Sequence, residues 1–126
     1  MPVTFELKTS TGIVSLLWNN WAMHRFCEMN GEVDAKGKVI PIPAATMWTL
    51  LDGQVLTFKH IIQLVKAASE GADNEITERE ASKLIDAGGG LTSPSSQILR
   101  FIEYVIRSGE LDIPADKNVP DEEKKS

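Results

Sequence analysis

Apolar and polar residues alternate at the start of the chain, where polar side chains separate Val3, Phe5 and Leu7. A period of two is typical of a strand with one buried face. A turn-forming cluster at residues 9–12 precedes a second apolar run at residues 13–17. Two such runs around a turn that ends in glycine indicate a hairpin. The sequence therefore predicts a short N-terminal β-hairpin.

From Trp18 onward the apolar residues recur at steps of three and four, which predicts helices. The face of the first helix holds Trp18, Trp21, Ala22, Phe26 and Met29. Asn19 or Asn20 suits its N-cap, and Asn30 followed by Gly31 suits its end. Residues 31–42 mix glycine, proline and charged side chains, and we expect a loop there.

Capping residues and apolar stripes predict four more helices along the rest of the chain. They begin at Pro43, at the caps Thr57 and Thr77, and at Ser93, and they end near Asp52, Gly71, Ala87 and Gly109. We therefore predict a mainly α fold, in which the N-terminal hairpin precedes a compact bundle of about five helices. Residues 1–109 would form this single domain. Residues 110–126 are rich in acids and prolines and predict a disordered acidic tail.

Composition is that of an ordinary globular domain, since the 126 residues are 42% hydrophobic and 25% charged. The net charge is −5, and the sequence has no basic cluster that would favour a nucleic-acid partner. The single cysteine, Cys27, excludes an internal disulfide. The N-terminus has no signal-peptide pattern, and no apolar run is long enough for a membrane span. We expect a cytoplasmic chain that binds neither nucleic acid nor membrane.

Candidate chemistry in the sequence is sparse. Residues 69–80 are similar to a calcium loop, but Gly71 occupies a ligand position and Asn74 the position that requires glycine. His24 and Cys27 share a helix face, yet two ligands do not make a zinc site. A Cys27–His60 nucleophile pair has no local support. Residues 88–90 follow a helix and lack the lysine of a phosphate loop. We expect no enzyme activity, no metal and no cofactor.

Three segments resemble the tail assembly chaperones of long-tailed bacteriophages and prophages. Residues 17–31 follow the form aromatic-x-x-x-Ala-hydrophobic-x-x-hydrophobic-Cys-Glu and end in glycine. Residues 60–68 are similar to the helix that precedes a polar loop in that family, and residues 75–86 are similar to its Thr-capped following helix. The resemblance extends over about residues 3–107, although residues 31–53 match no part of the pattern.

The resemblance implies a non-enzymatic assembly factor in the host cytoplasm. Such a chaperone binds the tape-measure protein, helps recruit tail-tube subunits and leaves before the tail is complete. Self-association as a homo-oligomer is compatible with this role. The alternatives are a structural head–tail joining or tail-completion protein and a small host adaptor.

A chaperone for apolar helices needs exposed apolar surface, and aromatic side chains are the strongest anchors. Three tryptophans overfill so small a core, so we expect at least one on the surface. The candidate partner-binding residues are Trp18, Trp21, Phe58, Phe101 and Tyr104.

Overall fold

The computed structural model describes residues 4–53, 56–91 and 96–111. Along the chain it contains β1 (Phe5–Thr9), β2 (Gly12–Leu16), α1 (Asn20–Met29), β3 (Glu32–Val33), β4 (Val39–Ile40), α2 (Ala44–Asp52), α3 (Phe58–Gly71), α4 (Glu78–Ala87) and α5 (Gln97–Leu111). The predicted fold class, mainly α with an N-terminal hairpin and about five helices, is confirmed.

Two predicted boundaries fall near the undescribed parts of the chain. The expected start of the last helix at Ser93 lies outside the described residues. That helix was expected to end at Gly109, but α5 continues to Leu111. The first two positions of the predicted tail, 110 and 111, are therefore helical, and the rest of it, residues 112–126, lies outside the described residues.

The N-terminal hairpin lays one apolar face on the helices. β1 and β2 are antiparallel, with Leu7 opposite Val14, and Leu7 is buried. Ile13 lies on the outer face and is exposed. The side chain of Gln97 exchanges two 2.8 Å hydrogen bonds with the backbone of Lys8. These bonds hold β1 against the first turn of α5.

Helices α1 and α3 pack against each other in opposite directions. The Asn19 side chain caps α1 by accepting a hydrogen bond from Ala22 N, and it donates to Gly71 O at the end of α3. At the other end, Gln63 Nε2 of α3 lies 3.5 Å from Met29 O, the last residue of α1. The start of α3 therefore lies beside the end of α1.

The helix starts at Thr57 and Thr77 follow the predicted caps. The Thr77 hydroxyl accepts from Glu80 N, and the Glu80 carboxylate accepts from Thr77 N at 2.8 Å. Thr57 pairs in the same way with His60, whose Nδ1 accepts from Thr57 N at 3.1 Å. Both capping boxes satisfy backbone N–H groups that a helix start would otherwise leave unpaired.

The core lies between the hairpin and the helices. Its largest fully buried side chains are Trp18, Phe26, Phe101, Leu7, Leu16, Met47, Leu51, Leu64 and Ile98. The rings of Trp18 and Phe26 meet edge to face at 6.0 Å. Because α5 contributes Ile98, Phe101 and Val105 to this cluster, the last helix lies centrally in the core.

The segment expected to be a loop, residues 31–42, contains a second antiparallel hairpin. Glu32 lies opposite Ile40, and Val33 lies opposite Val39. An Asx turn closes the hairpin, since Asp34 Oδ1 accepts from Lys36 N at 2.8 Å and from Lys38 N at 2.9 Å. The strands are only two residues long, which is too short for a periodic signal in the sequence.

Candidate partner-binding surfaces

The five candidate aromatic residues separate into core and surface. Trp18 is 1% exposed and Phe101 is 0% exposed. Both therefore lie in the core, and their burial corrects their assignment as partner-binding residues. Trp21 is 54% exposed and Phe58 is 74% exposed. These two rings remain available to a partner.

Tyr104 is only partly buried, but its hydroxyl is engaged within the protein. The hydroxyl oxygen accepts a 3.1 Å hydrogen bond from Trp18 N, and the ring packs on Phe5 and Phe101. Burial raises the pKa of this hydroxyl, and the hydrogen bond from Trp18 partly offsets the rise. Tyr104 thus joins α5 to the start of α1, and a binding role would compete with that contact.

Exposed apolar side chains lie in the region where α1 ends and α3 begins. They are Phe58 on the first turn of α3 and Val33, Val39 and Ile40 on the second hairpin, and we call this region the apolar end. Val33 lies opposite Val39, and the next residue, Ile40, points to the other face of the hairpin. All four side chains are more than 40% exposed. Sequence reasoning identified Phe58 alone, because the hairpin residues stand in a segment that resembles a polar loop.

Trp21 lies at the opposite end of α1, beside an acidic groove. A depression of about 470 Å³ is lined by Trp21, His24, Arg25, Glu28, Glu70, Asp73 and Glu75. Glu75 also lines a second depression, of about 490 Å³, together with Lys66, Ile76, Thr77, Glu78 and Glu80. We call these two depressions, which share Glu75, the acidic groove. Its lining holds six carboxylates together with Arg25, Lys66 and His24.

Those two cations are held by carboxylates of the groove itself. Glu70 accepts hydrogen bonds from Arg25 Nε at 2.8 Å and from Lys66 Nζ at 2.7 Å. Burial raises the pKa of Glu70, but the hydrogen bonds from Lys66 and Arg25 outweigh it and hold that pKa below its usual value. Hydrogen bonds to Glu70 and Glu28 raise the pKa of Arg25.

Four carboxylates of the groove have no such partner. Within the parts of the chain that the structure describes, Asp73, Glu75, Glu78 and Glu80 form no ion pair. Asp73 adopts φ = 66°, in the left-handed region that aspartate tolerates better than most residues. The unpaired negative charge of the groove therefore lies on the loop between α3 and α4 and on the first turn of α4.

Of the residues that the sequence offered for catalysis or metal binding, Cys27 is buried in the core and His60 takes part in helix capping. Cys27 is buried, and burial raises the pKa of its thiol, which disfavours a thiolate nucleophile. His60 uses Nδ1 in the α3 capping box. In residues 4–53, 56–91 and 96–111, no three side chains of His, Cys, Asp and Glu come together as a metal site requires.

Comparisons with known protein families, curated proteins and solved structures found no match. Of the helices in the described ranges, none combines the length and apolar character needed to cross a bilayer.

Proposed function

We propose that this protein is a non-enzymatic assembly chaperone that binds the tape-measure protein and helps recruit tail-tube subunits during phage tail morphogenesis. The observation that carries the proposal is the apolar end. Phe58 is 74% exposed and Val33 is 66% exposed, in a chain with an otherwise ordinary core. Large exposed apolar side chains that share one part of a protein are typical of partner-binding surfaces.

The chemistry of the apolar end suits a helical partner. A tape-measure protein offers long helices with apolar stripes, and an exposed aromatic ring beside aliphatic side chains can cover such a stripe. Phe58 is well placed for this role, because its backbone begins α3 and is fixed by the Thr57–His60 capping box. A rigid anchor loses little conformational entropy on binding.

The segments that resemble the chaperone family provide further support. They form α1, α3 and α4, and α3 packs on both of the others. The resemblance therefore concerns residues that form one packed unit. Residues 31–53, which lie outside the family pattern, contain the second hairpin and α2.

Co-expression with the cognate tape-measure protein tests the proposal. The chain should keep that protein soluble and co-purify with it, and Phe58→Ala should weaken the complex by about 2 kcal/mol or more. Leu99→Ala is the matched control, because Leu99 is also exposed but lies on α5. A tape-measure protein that stays equally soluble without this chain would refute the proposal.

Mass spectrometry of purified phage particles distinguishes an assembly chaperone from the main alternative, a structural protein of the particle. A head–tail joining or tail-completion protein remains in the finished particle in stoichiometric amounts, whereas an assembly chaperone leaves. A host adaptor would instead be found with host proteins and would not bind the tape-measure protein.

A further inference from the structure

The outer edge of β1, the edge that does not pair with β2, is only partly occupied. The side-chain amide of Gln97 exchanges two 2.8 Å hydrogen bonds with the backbone N–H and C=O of Lys8. Those two backbone groups therefore point away from β2. Because backbone groups alternate in direction along an antiparallel strand, the N–H and C=O of Glu6, two residues earlier, point the same way.

Glu6 leaves this edge open. Within the parts of the chain that the structure describes, no hydrogen bond joins its N–H or its C=O to a group outside the hairpin. A depression of about 660 Å³ adjoins the edge, and the end of α4 and the start of α5 form its other walls through Gly88, Gly89 and Arg100. This volume lies in the range of sites that bind small molecules and short peptide segments.

We propose that an extended segment of another protein, carrying an acidic side chain, adds to the edge of β1 as a further strand. Its backbone pairs with the N–H and C=O of Glu6, as the Gln97 amide pairs with Lys8. Its acidic side chain lies beside Lys8 and Arg100. Strand addition takes its affinity from main-chain hydrogen bonds and its specificity from the side chains next to them.

The hydrogen bonds at this edge identify the occupant as an extended backbone. Gln97 offers Lys8 one N–H donor and one carbonyl acceptor, and a strand offers the same two groups to the strand beside it. A helix does not, because its backbone groups bond to each other. Since Gln97 already occupies Lys8, the added strand runs from Glu6 toward the start of β1.

Charge at the rim of the depression favours an acidic segment. Lys8 and Arg100 are exposed, and among the described residues neither forms an ion pair. Both line the depression, where Glu6 is the single carboxylate among the described lining residues. The N-terminus of α5 at Gln97 adds the positive end of a helix dipole. A carboxylate in the added strand therefore meets an excess of positive charge.

A second copy of this chain is a poor occupant of the edge. With Lys8 paired to Gln97, two antiparallel β1 edges would meet around Glu6. That register places the Glu6 carboxylates of the two copies opposite each other, and like charges at opposed strand positions are destabilising. We therefore assign the edge to a different protein. This inference does not depend on the proposed function, since it uses neither Phe58 nor a tape-measure protein.

A synthetic peptide tests the inference on the full chain. The probe carries fluorescein, is about seven residues long, alternates valine with serine or threonine and contains one aspartate. Fluorescence polarisation should show saturable binding. Lys8→Glu/Arg100→Glu should weaken binding at least about tenfold, because like charges would then face the probe. Lys83→Glu/Arg107→Glu changes the net charge equally at exposed sites elsewhere and should bind as the wild type does.

Two variants of Glu6 distinguish strand addition from charge attraction alone. Glu6→Pro removes the outward N–H but leaves the ladder to β2 intact, and edge strands tolerate such a proline. Binding of the probe should fall at least about tenfold. Glu6→Ala keeps the N–H and removes a like charge, so it should bind at least as tightly as the wild type. The melting temperature of each variant reports whether the hairpin is intact.

Probes with N-methylated backbones make the same test without changing the protein. In a bound strand alternate N–H groups face β1, and the others face away from it. Methylation of one set should abolish binding, and methylation of the other set should not. A wild-type chain that binds no probe up to about 1 mM would overturn the inference. Equal binding of both N-methylated probes would also overturn it, as would equal binding by folded Glu6→Pro and Glu6→Ala chains.

Discussion

Arg25 Nε on α1 donates a 2.8 Å hydrogen bond to Glu70 Oε1 on α3. The Glu70 side chain in this ion pair is only 7% exposed. The same carboxylate accepts from Lys66 at 2.7 Å through its other oxygen. Two cations thus share one buried carboxylate at the junction of two helices, and Arg25 also pairs with Glu28. Because Glu70 also lines the acidic groove, this one side chain contributes both to the packing of α1 on α3 and to the shape of the groove.

We expect Glu70→Ala to lower the free energy of unfolding by about 1–3 kcal/mol, because it leaves Arg25 and Lys66 close together without their shared counter-charge. Urea denaturation measures the change. The control is Glu103→Ala, since the Glu103–Arg107 pair is exposed on both sides and should contribute little. Equal losses in the two variants would contradict a special role for Glu70.

Gly71 should tolerate no larger side chain. A Cβ added there would overlap the Leu17 carbonyl oxygen and come within 2.7 Å of Asn19 Oδ1, which caps α1. Overpacking of this kind costs about 1–3 kcal/mol. At Gly88 an added Cβ would approach methyl groups of Leu7 and Ile98, which can move aside. Thermal unfolding of both alanine variants should therefore show the larger loss for Gly71→Ala.

The fold could be predicted from sequence where short residue patterns form the same local hydrogen bonds in the structure. The capping boxes at Thr57 and Thr77 are short-range hydrogen-bond patterns, so two helix starts follow from residues three positions apart. The second hairpin gave no comparable signal, because Gly31 packs on the backbone of Ile40, a contact that spacing does not reveal. Its Asp34 side chain, two residues before a lysine and near Gly37, is the one hint of an Asx turn.

The surfaces were harder to predict than the helices. The sequence predicts Trp18 and Trp21 on one apolar face of the first helix. Trp18 instead lies before the Asn19 cap of α1 and is buried against Phe26, whereas Trp21 lies on α1 and is exposed. A helix face is set by its neighbours, and α3 covers only one side of α1. The acidic groove likewise joins residues from α1, from the end of α3 and from the loop before α4. Only the antiparallel packing of α1 and α3 brings them together.

Stability should fall as the pH is lowered through the titration of His60. Burial, followed by the charge of Lys59, lowers the pKa of His60 from its ordinary value of 6.5. The unfolded chain therefore takes up this proton first, and stability is lost as the pH falls below about 6.5 toward the folded-state pKa. His60→Gln keeps an acceptor for Thr57 N but does not titrate. The melting temperature of this variant should change less between about pH 7 and pH 5.5; an unchanged slope would show that His60 is not responsible.

Added calcium should leave the melting temperature unchanged. If residues 69–80 formed a calcium loop, Ser69 and Glu80 would be its first and last ligands. The Ser69 hydroxyl instead donates to Asn74 O, and the Glu80 carboxylate accepts from Thr77 N. Calcium would have to break both contacts. A ligand that binds only the folded state raises its stability by mass action, so a dose-dependent rise would reveal a site at residues 69–80.

The aromatic residues should divide into two classes when they are truncated. Phe101 is fully buried and packs on Phe5 at 5.5 Å, so Phe101→Ala should cost about 3–5 kcal/mol of stability through the cavity it leaves. Trp21→Ala and Phe58→Ala remove exposed rings and should change stability by about 0.5 kcal/mol or less. If Phe101→Ala does not fold, Phe101→Leu should still lose more stability than either surface variant.

Chemical denaturation measures the stability of these variants, and pull-down with the tape-measure protein measures their binding. Because Phe58 lies at the apolar end and Trp21 beside the acidic groove, loss of tape-measure binding should follow Phe58→Ala, whereas Trp21→Ala should leave it nearly unchanged. A Phe58→Ala chain that unfolds as readily as the Phe101 variants would show that Phe58 supports the core and is no partner anchor.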